Sequence, residues 1–155
     1  ITSSPATITG LTPGKTYIFY IQNYVSSSDK ANSNSVTAAT NEAIGYFAWT
    51  NDDATNIQSG QPVTNLTASA WQNLIAKVAA CGGSTGSIPT ASSGTKITAN
   101  HFNQMRNAIS GLTGAGSVAS SVTSGTSKVL ASLFANATTA LKEAINRAIS
   151  AKNNQ

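Results

Sequence analysis

The residue types that carry most enzyme chemistry are scarce in this sequence and poorly placed for one another. Among 155 residues there is one histidine, His101, one cysteine, Cys81, and five carboxylates. Acid–base or nucleophilic catalysis needs a base and its partner within hydrogen-bond reach. His101 falls at the third position of a predicted helix, where a lone imidazole reads as a surface residue. The one close acid pair, Asp52 and Asp53, is adjacent in sequence, which in an extended segment turns the side chains apart. Residues 51–56, Asn-Asp-Asp-Ala-Thr-Asn, lack the acidic alternation and glycine of a calcium loop and read as a solvated turn. No Gly-x-Ser-x-Gly elbow, phosphate loop, dinucleotide fingerprint or His/Cys zinc spacing occurs. The expectation is no catalytic residue, no metal and no cofactor. Asn65-Leu-Thr67 and Asn136-Ala-Thr138 fit the glycosylation sequon, but both fall at or inside predicted helices and read as chance.

Composition points the same way. Charged residues make up 9% of the chain, against about 25% in average soluble proteins; Ser, Thr, Asn, Ala and Gly take their place. Low charge weakens repulsion between copies, which suits a protein packed against its neighbours. The formal net charge is +4, yet Lys77, Lys96, Arg106, Lys128, Lys142, Arg147 and Lys152 are spread out and form no phosphate-binding cluster. Nucleic acid is therefore not an expected partner. A single cysteine excludes an intrachain disulfide. No apolar run approaches the length of about 20 residues that spans a bilayer, so no membrane partner is expected. Ile1-Thr-Ser-Ser-Pro5 has neither the basic start nor the apolar stretch of a signal peptide.

Residues 1–41 read as strands. Residues 6–10 predict a short one, Pro13-Gly14 a tight turn, and Tyr17 to Val25 an aromatic and β-branched strand. Tyr17, Phe19 and Ile21 alternate and share one face, pointing into a core. A polar loop, 26–34, leads to a closing strand at 35–40.

Leu11-Thr-Pro-Gly-Lys-Thr-Tyr17, the alternating strand, the hairpin and Val36-Thr-Ala-Ala-Thr40 resemble the C-terminal half of a fibronectin type III domain over residues 6–40. The resemblance implies a β-sandwich in which Tyr17 bonds back to nearby backbone as a tyrosine corner and Leu11 is a core leucine. The family's first four strands have no counterpart here. Three strands alone expose an apolar face and an unpaired edge, so chain outside this sequence, or a partner, is expected to complete the sheet.

Residues 42–65 read as a connector whose aromatic part, Tyr46, Phe47 and Trp49, is an expected assembly contact. Two helical segments then repeat 31 residues apart, paired across 66–112. Thr67 and Thr98 are the predicted N-caps. Leu66 and Ile97 precede them, and Trp71 and Phe102 follow at the fourth helical position, the spacing of a hydrophobic staple. Trp71, Leu74, Ile75 and Val78 line one core face, as do Phe102, Met105 and Ile109. Gly82-Gly83 and Gly111 are the expected helix ends.

Residues 113–126 read as a flexible, exposed Gly/Ser/Thr linker. Residues 127–155 predict one amphipathic helix with a seam of Leu130, Phe134, Ala137, Leu141, Ala144 and Ala148. Two arrangements are open: the seam covers the first two helices, or it self-associates through Leu130, Phe134 and Leu141.

The repeated Leu-Thr-Ala-Ser-Ala-Trp-Gln-Asn-Leu and Ile-Thr-Ala-Asn-His-Phe-Asn-Gln-Met pattern after a fibronectin-like module is similar to segments of bacteriophage and prophage tail and tail-appendage proteins, over residues 45–110. It implies a homo-oligomeric virion structural protein whose partners are its own copies, other particle proteins and a host-surface glycan or protein. The fold expected is α+β: partial fibronectin III-like sandwich strands, then a small three-helix region. A bacterial surface adhesin and an accessory region of a glycan-degrading enzyme are the rival readings.

Overall fold

The aromatic run after Pro13-Gly14 forms strand, but in two pieces. In the computed structural model, which describes residues 7–24, 30–50, 57, 63, 66–125 and 129–155, β1 (Thr16–Phe19) pairs antiparallel with β4 (Val36–Ala39), and β2 (Gln22–Tyr24) with β3 (Lys30–Asn32). Phe19 faces Val36 in the first ladder and Gln22 faces Asn32 in the second, so the returning arm carries one extra residue between them. That is a bulge. Ser33 holds it, its Oγ accepting from the Ile21 N–H at 2.8 Å. The stretch expected as a polar loop thus contains a strand, because Lys30–Asn32 find main-chain partners across the hairpin. Residues 7–10, expected as strand, are not strand; among the described residues no neighbouring strand offers them a ladder.

Residues 1–43 form one compact unit and 44–155 another. Among the described residues, helices fall in the second: α1 (Ala68–Ala80), α2 (Ala99–Ser110), a single turn α3 (Ala131–Phe134) and α4 (Leu141–Asn153). The class is α+β.

The first two helices start as their sequences dictate. Thr67 Oγ1 accepts from the Ala70 N–H and Thr98 Oγ1 from the His101 N–H, so each cap satisfies an orphan amide of the first turn. Leu66, Trp71, Leu74, Val78, Ile97, Phe102, Met105 and Ile109 are all buried in one core. α1 ends in a Schellman motif: the Gly82 N–H donates to Ala79 O and the Gly83 N–H to Val78 O. Gly82 supplies the left-handed φ of 85°. Gly83 serves closeness instead, since a Cβ there would lie 2.7 Å from Val78 Cγ1.

The 31-residue period continues past the helices. Gln72 Nε2 donates to Ala91 O, and Asn103 Nδ2 to Val122 O, each 19 residues on. Ala91 and Val122 are buried, as are Ile88 and Ala119. Gly94 and Gly125 close both copies at φ 81° and 79°. Each unit is therefore a capped helix followed by an extended arm that folds back on it. A third start follows. Val129-Leu-Ala-Ser-Leu-Phe134 lines up with Leu66–Trp71 and Ile97–Phe102, and Phe134 is as fully buried as Trp71 and Phe102. Leu130 stands where the other copies have threonine, and its N-cap position has no side-chain hydrogen bond. This helix runs for one turn only.

Two sequence expectations are corrected here. The segment 127–155 is not one helix: α3 stops at Phe134, Ala135 is extended and Asn136 takes a left-handed φ of 65°. Without a cap, and with asparagine free to adopt that conformation, the turn ends. Nor is 113–126 exposed throughout: most of its described residues are, but Ala115, Ala119 and Val122 are buried, and their small side chains let the chain lie close against α2 and α4.

α4 is central, packing on α2, α1 and α3, and no residue from Leu141 to Ala151 is fully exposed. Truncating Trp71 or Phe102 to alanine should each cost about 3–5 kcal/mol, as large core truncations do; urea melts of the full chain would measure it, and near-neutral changes would contradict this core.

Candidate interaction surface

The helices use their polar side chains on main chain. Asn146 Oδ1 accepts from the Phe47 N–H at 2.7 Å, and its Nδ2 donates to Phe47 O at 3.0 Å. Asn153 does the same to Ile44, at 2.8 and 3.0 Å. Asn103 does it to Val122, at 2.9 and 2.8 Å. Each amide thus acts as a short stretch of strand edge, supplying one acceptor and one donor to an extended residue.

Two of these clamps make a strap. The three residue steps from Ile44 to Phe47 span about 10 Å of extended chain, and the seven from Asn146 to Asn153 about 10.5 Å of helix. The lengths match, so residues 44–49 lie antiparallel along α4. Phe47 is buried beneath the strap, edge-on to Trp49 at 4.7 Å, and Trp49 Nε1 donates to Phe134 O at 3.1 Å. The aromatic connector therefore belongs to the helical unit.

Arg147 completes the pattern. Its guanidinium donates to three carbonyls, Nε to Ala115 at 2.8 Å, Nη2 to Ser117 at 2.7 Å and Nη1 to Thr138 at 2.5 Å. Arg106 Nε donates to Ala119 O at 2.8 Å. The planar fork suits such divergent acceptors better than an ammonium would. Among the described residues, no buried side-chain nitrogen or oxygen lacks a partner.

The titratable residues have structural surroundings. His101 is half-buried rather than a surface residue: its Nδ1 lies 2.8 Å from Thr98 Oγ1 and reaches the Thr98 N–H, forming a capping box. Its ring also meets Trp71 edge-on at 6.0 Å. Burial pushes the Cys81 thiol above its ordinary value, against the pull of Lys152 and Lys77, which makes it a poor nucleophile. Lys142 and Glu143 pair at 3.6 Å on the surface. Among the described residues no three His, Cys, Asp or Glu side chains gather to hold a metal, and no helix is long and apolar enough to cross a membrane. Asp52, Asp53 and Asn65 lie outside the described residues. Asn136 is exposed in the break between helices rather than inside one, and with Trp49, Ile57 and Lys142 it lines an open depression of about 170 Å³.

The six expected assembly residues separate. Phe47, Phe134 and Leu141 are fully buried and are corrected from interface to core, because the strap and α4 close over them. Trp49 is half-buried. Tyr46 (64%) and Leu130 (38%) remain exposed. In the hairpin unit, Leu11, Tyr17 and Phe19 are only half-buried and Ile21 is 76% exposed, so the expected core face there is open. Sequence reasoning missed Ile18, Tyr20 and Val36, all exposed apolar side chains on the same unit. Strand alternation assigned them outward, and their size was the signal.

Tyr17 is fixed by its oxygen, which accepts from the Thr12 N–H five residues back at 2.9 Å. Those Thr12 bonds favour the phenolate and lower the Tyr17 pKa from the ordinary 10.0, with Lys15 adding to the effect. Comparison of the chain with protein-family models, with curated proteins and with solved structures finds no match.

Asn146→Ala leaves the Phe47 N–H and carbonyl unpaired and should cost about 2–3 kcal/mol, while Arg147→Lys, keeping charge but losing the fork, should cost about 1–3 kcal/mol. Denaturant melts would measure both. Absorbance titration should find a tyrosine component ionising below the ordinary tyrosine value, and Tyr17→Phe should remove it. Because its folded-state pKa is lowered, any stability gained from that ionisation appears above the unfolded tyrosine value and is gone once pH falls through the folded one.

Proposed function

We propose that this chain is a virion structural protein, a tail or tail-appendage component that works by assembly and surface contact rather than by catalysis. The observation that carries the reading is a division of labour. In the helical unit, inward-reaching Asn103, Arg106, Asn146, Arg147 and Asn153 are committed to the chain's own backbone. In the hairpin unit, Ile18, Tyr20, Ile21 and Val36 stand exposed. Exposed apolar side chains grouped on one small unit mark a surface meant to be covered.

On this reading the hairpin is the closing part of a fibronectin-like sandwich, and the bond from Thr12 to the Tyr17 oxygen supports it as a tyrosine corner. The partners are copies of the chain and neighbouring particle proteins, with a host-surface glycan or protein at the outer face. The low charge supports dense packing of copies. The protein would act on a virus particle or outside the cell.

Light scattering on the purified full chain tests this. A symmetric oligomer of fixed stoichiometry, its mass unchanged on dilution, is expected. A monomer that binds host cells or glycans would favour the adhesin reading and overturn the virion assignment.

A further inference from the structure

We infer that the α4 face occupied by the strap is an exchange site, which takes residues 44–49 from a second copy of this chain. The inference deepens the assembly reading above and rests on it. What holds the strap is nearly blind to which chain it comes from. Asn146 and Asn153 bind main-chain N–H and C=O groups of Phe47 and Ile44, and every copy carries the same Phe47 for the same buried position. A strap from a neighbour would make identical contacts, so exchange costs no bond and changes only which molecule supplies the segment.

Placement favours this occupant over an unrelated peptide. The strap begins where the compact hairpin unit ends, Ala43 closing one unit and Ile44 opening the other. Handing the strap to a neighbour therefore hands over a whole folded unit with it. Each copy both donates a strap and offers an α4 face, a head-to-tail relation that links copies into closed rings or longer arrays. Crowding of copies during assembly favours exchange, and once each strap is seated in a neighbour the same clamps hold it there.

The test uses two full-length variants in a Cys81→Ser background. One carries Tyr46→Cys in the exposed part of the strap. The other carries Ser150→Cys, which helical spacing puts on the α4 stripe between Asn146 and Asn153. The two are mixed, unfolded and refolded together at about 1 mM, then treated with a short bismaleimide. Exchange predicts a covalent heterodimer linked from 46 to 150, at least several-fold above a control pairing Tyr46→Cys with Ser93→Cys, an exposed loop position. Heterodimer at the control level, while a chain bearing both Tyr46→Cys and Ser150→Cys links within itself, would overturn exchange. Light scattering on the unaltered protein separates the two ideas: a fixed oligomer without the 46–150 link leaves the assembly reading standing, and monomers at every concentration overturn both.

Discussion

Extended chain packed against helices has main-chain groups to satisfy and no neighbouring strand to satisfy them. Leaving such groups unpaired in a buried place costs as much as a lost hydrogen bond. The helical unit meets this constraint with side chains. Asparagine amides take both groups of one residue, and arginine forks gather carbonyls that point in different directions. Much else depends on this, including the seating of the strap, the burial of Ala115, Ala119 and Val122 and the central position of α4. Its apolar residues Leu141, Ala144, Ile145, Ala148 and Ile149 face helices, while Asn146, Arg147 and Asn153 serve loops. One helix thereby organises two kinds of neighbour.

The repeated unit shows how little is needed to reuse such a design. Trp71 and Phe102 differ, as do Gln72 and Asn103, yet in both copies the aromatic is buried and the amide donates to a carbonyl 19 residues on. What the copies share is a threonine cap, an apolar residue before it and a glycine where the arm turns away. The third copy keeps the apolar entry and the buried aromatic but lacks the cap, and its helix is one turn long. The chain that would have been its second and third turns instead crosses to α4, where the Thr139 carbonyl accepts from the Ala119 N–H.

How much of this was legible in the sequence follows from where each signal lies. Caps, staples and terminating glycines are local, so α1 and α2 could be read from Thr67, Trp71, Thr98 and Phe102 without any knowledge of the rest. The clamps could not, because Asn103, Asn146, Asn153 and Arg147 look like solvent-facing polar residues until their backbone partners are known. The same blindness hid the burial of Ala115, Ala119 and Val122, since small apolar residues among Gly and Ser give no hydrophobic pattern. The break at Asn136 had a visible cue in Leu130 at the cap position, which continuous spacing from Leu130 to Ala148 outweighed. In the hairpin, alternation identified the strand but not the bulge, which depends on the pairing register.

The spacing of contacts along the chain carries a kinetic consequence. Gln72 and Asn103 reach partners 19 residues away, whereas the bonds joining the strap to α4 close separations of 99 and 109. Short loops close at lower entropic cost than long ones, so the capped units can organise while the strap is still searching. During synthesis the strap emerges well before its docking helix. For that interval Phe47 has no home, and a growing chain stays adhesive until α4 has formed.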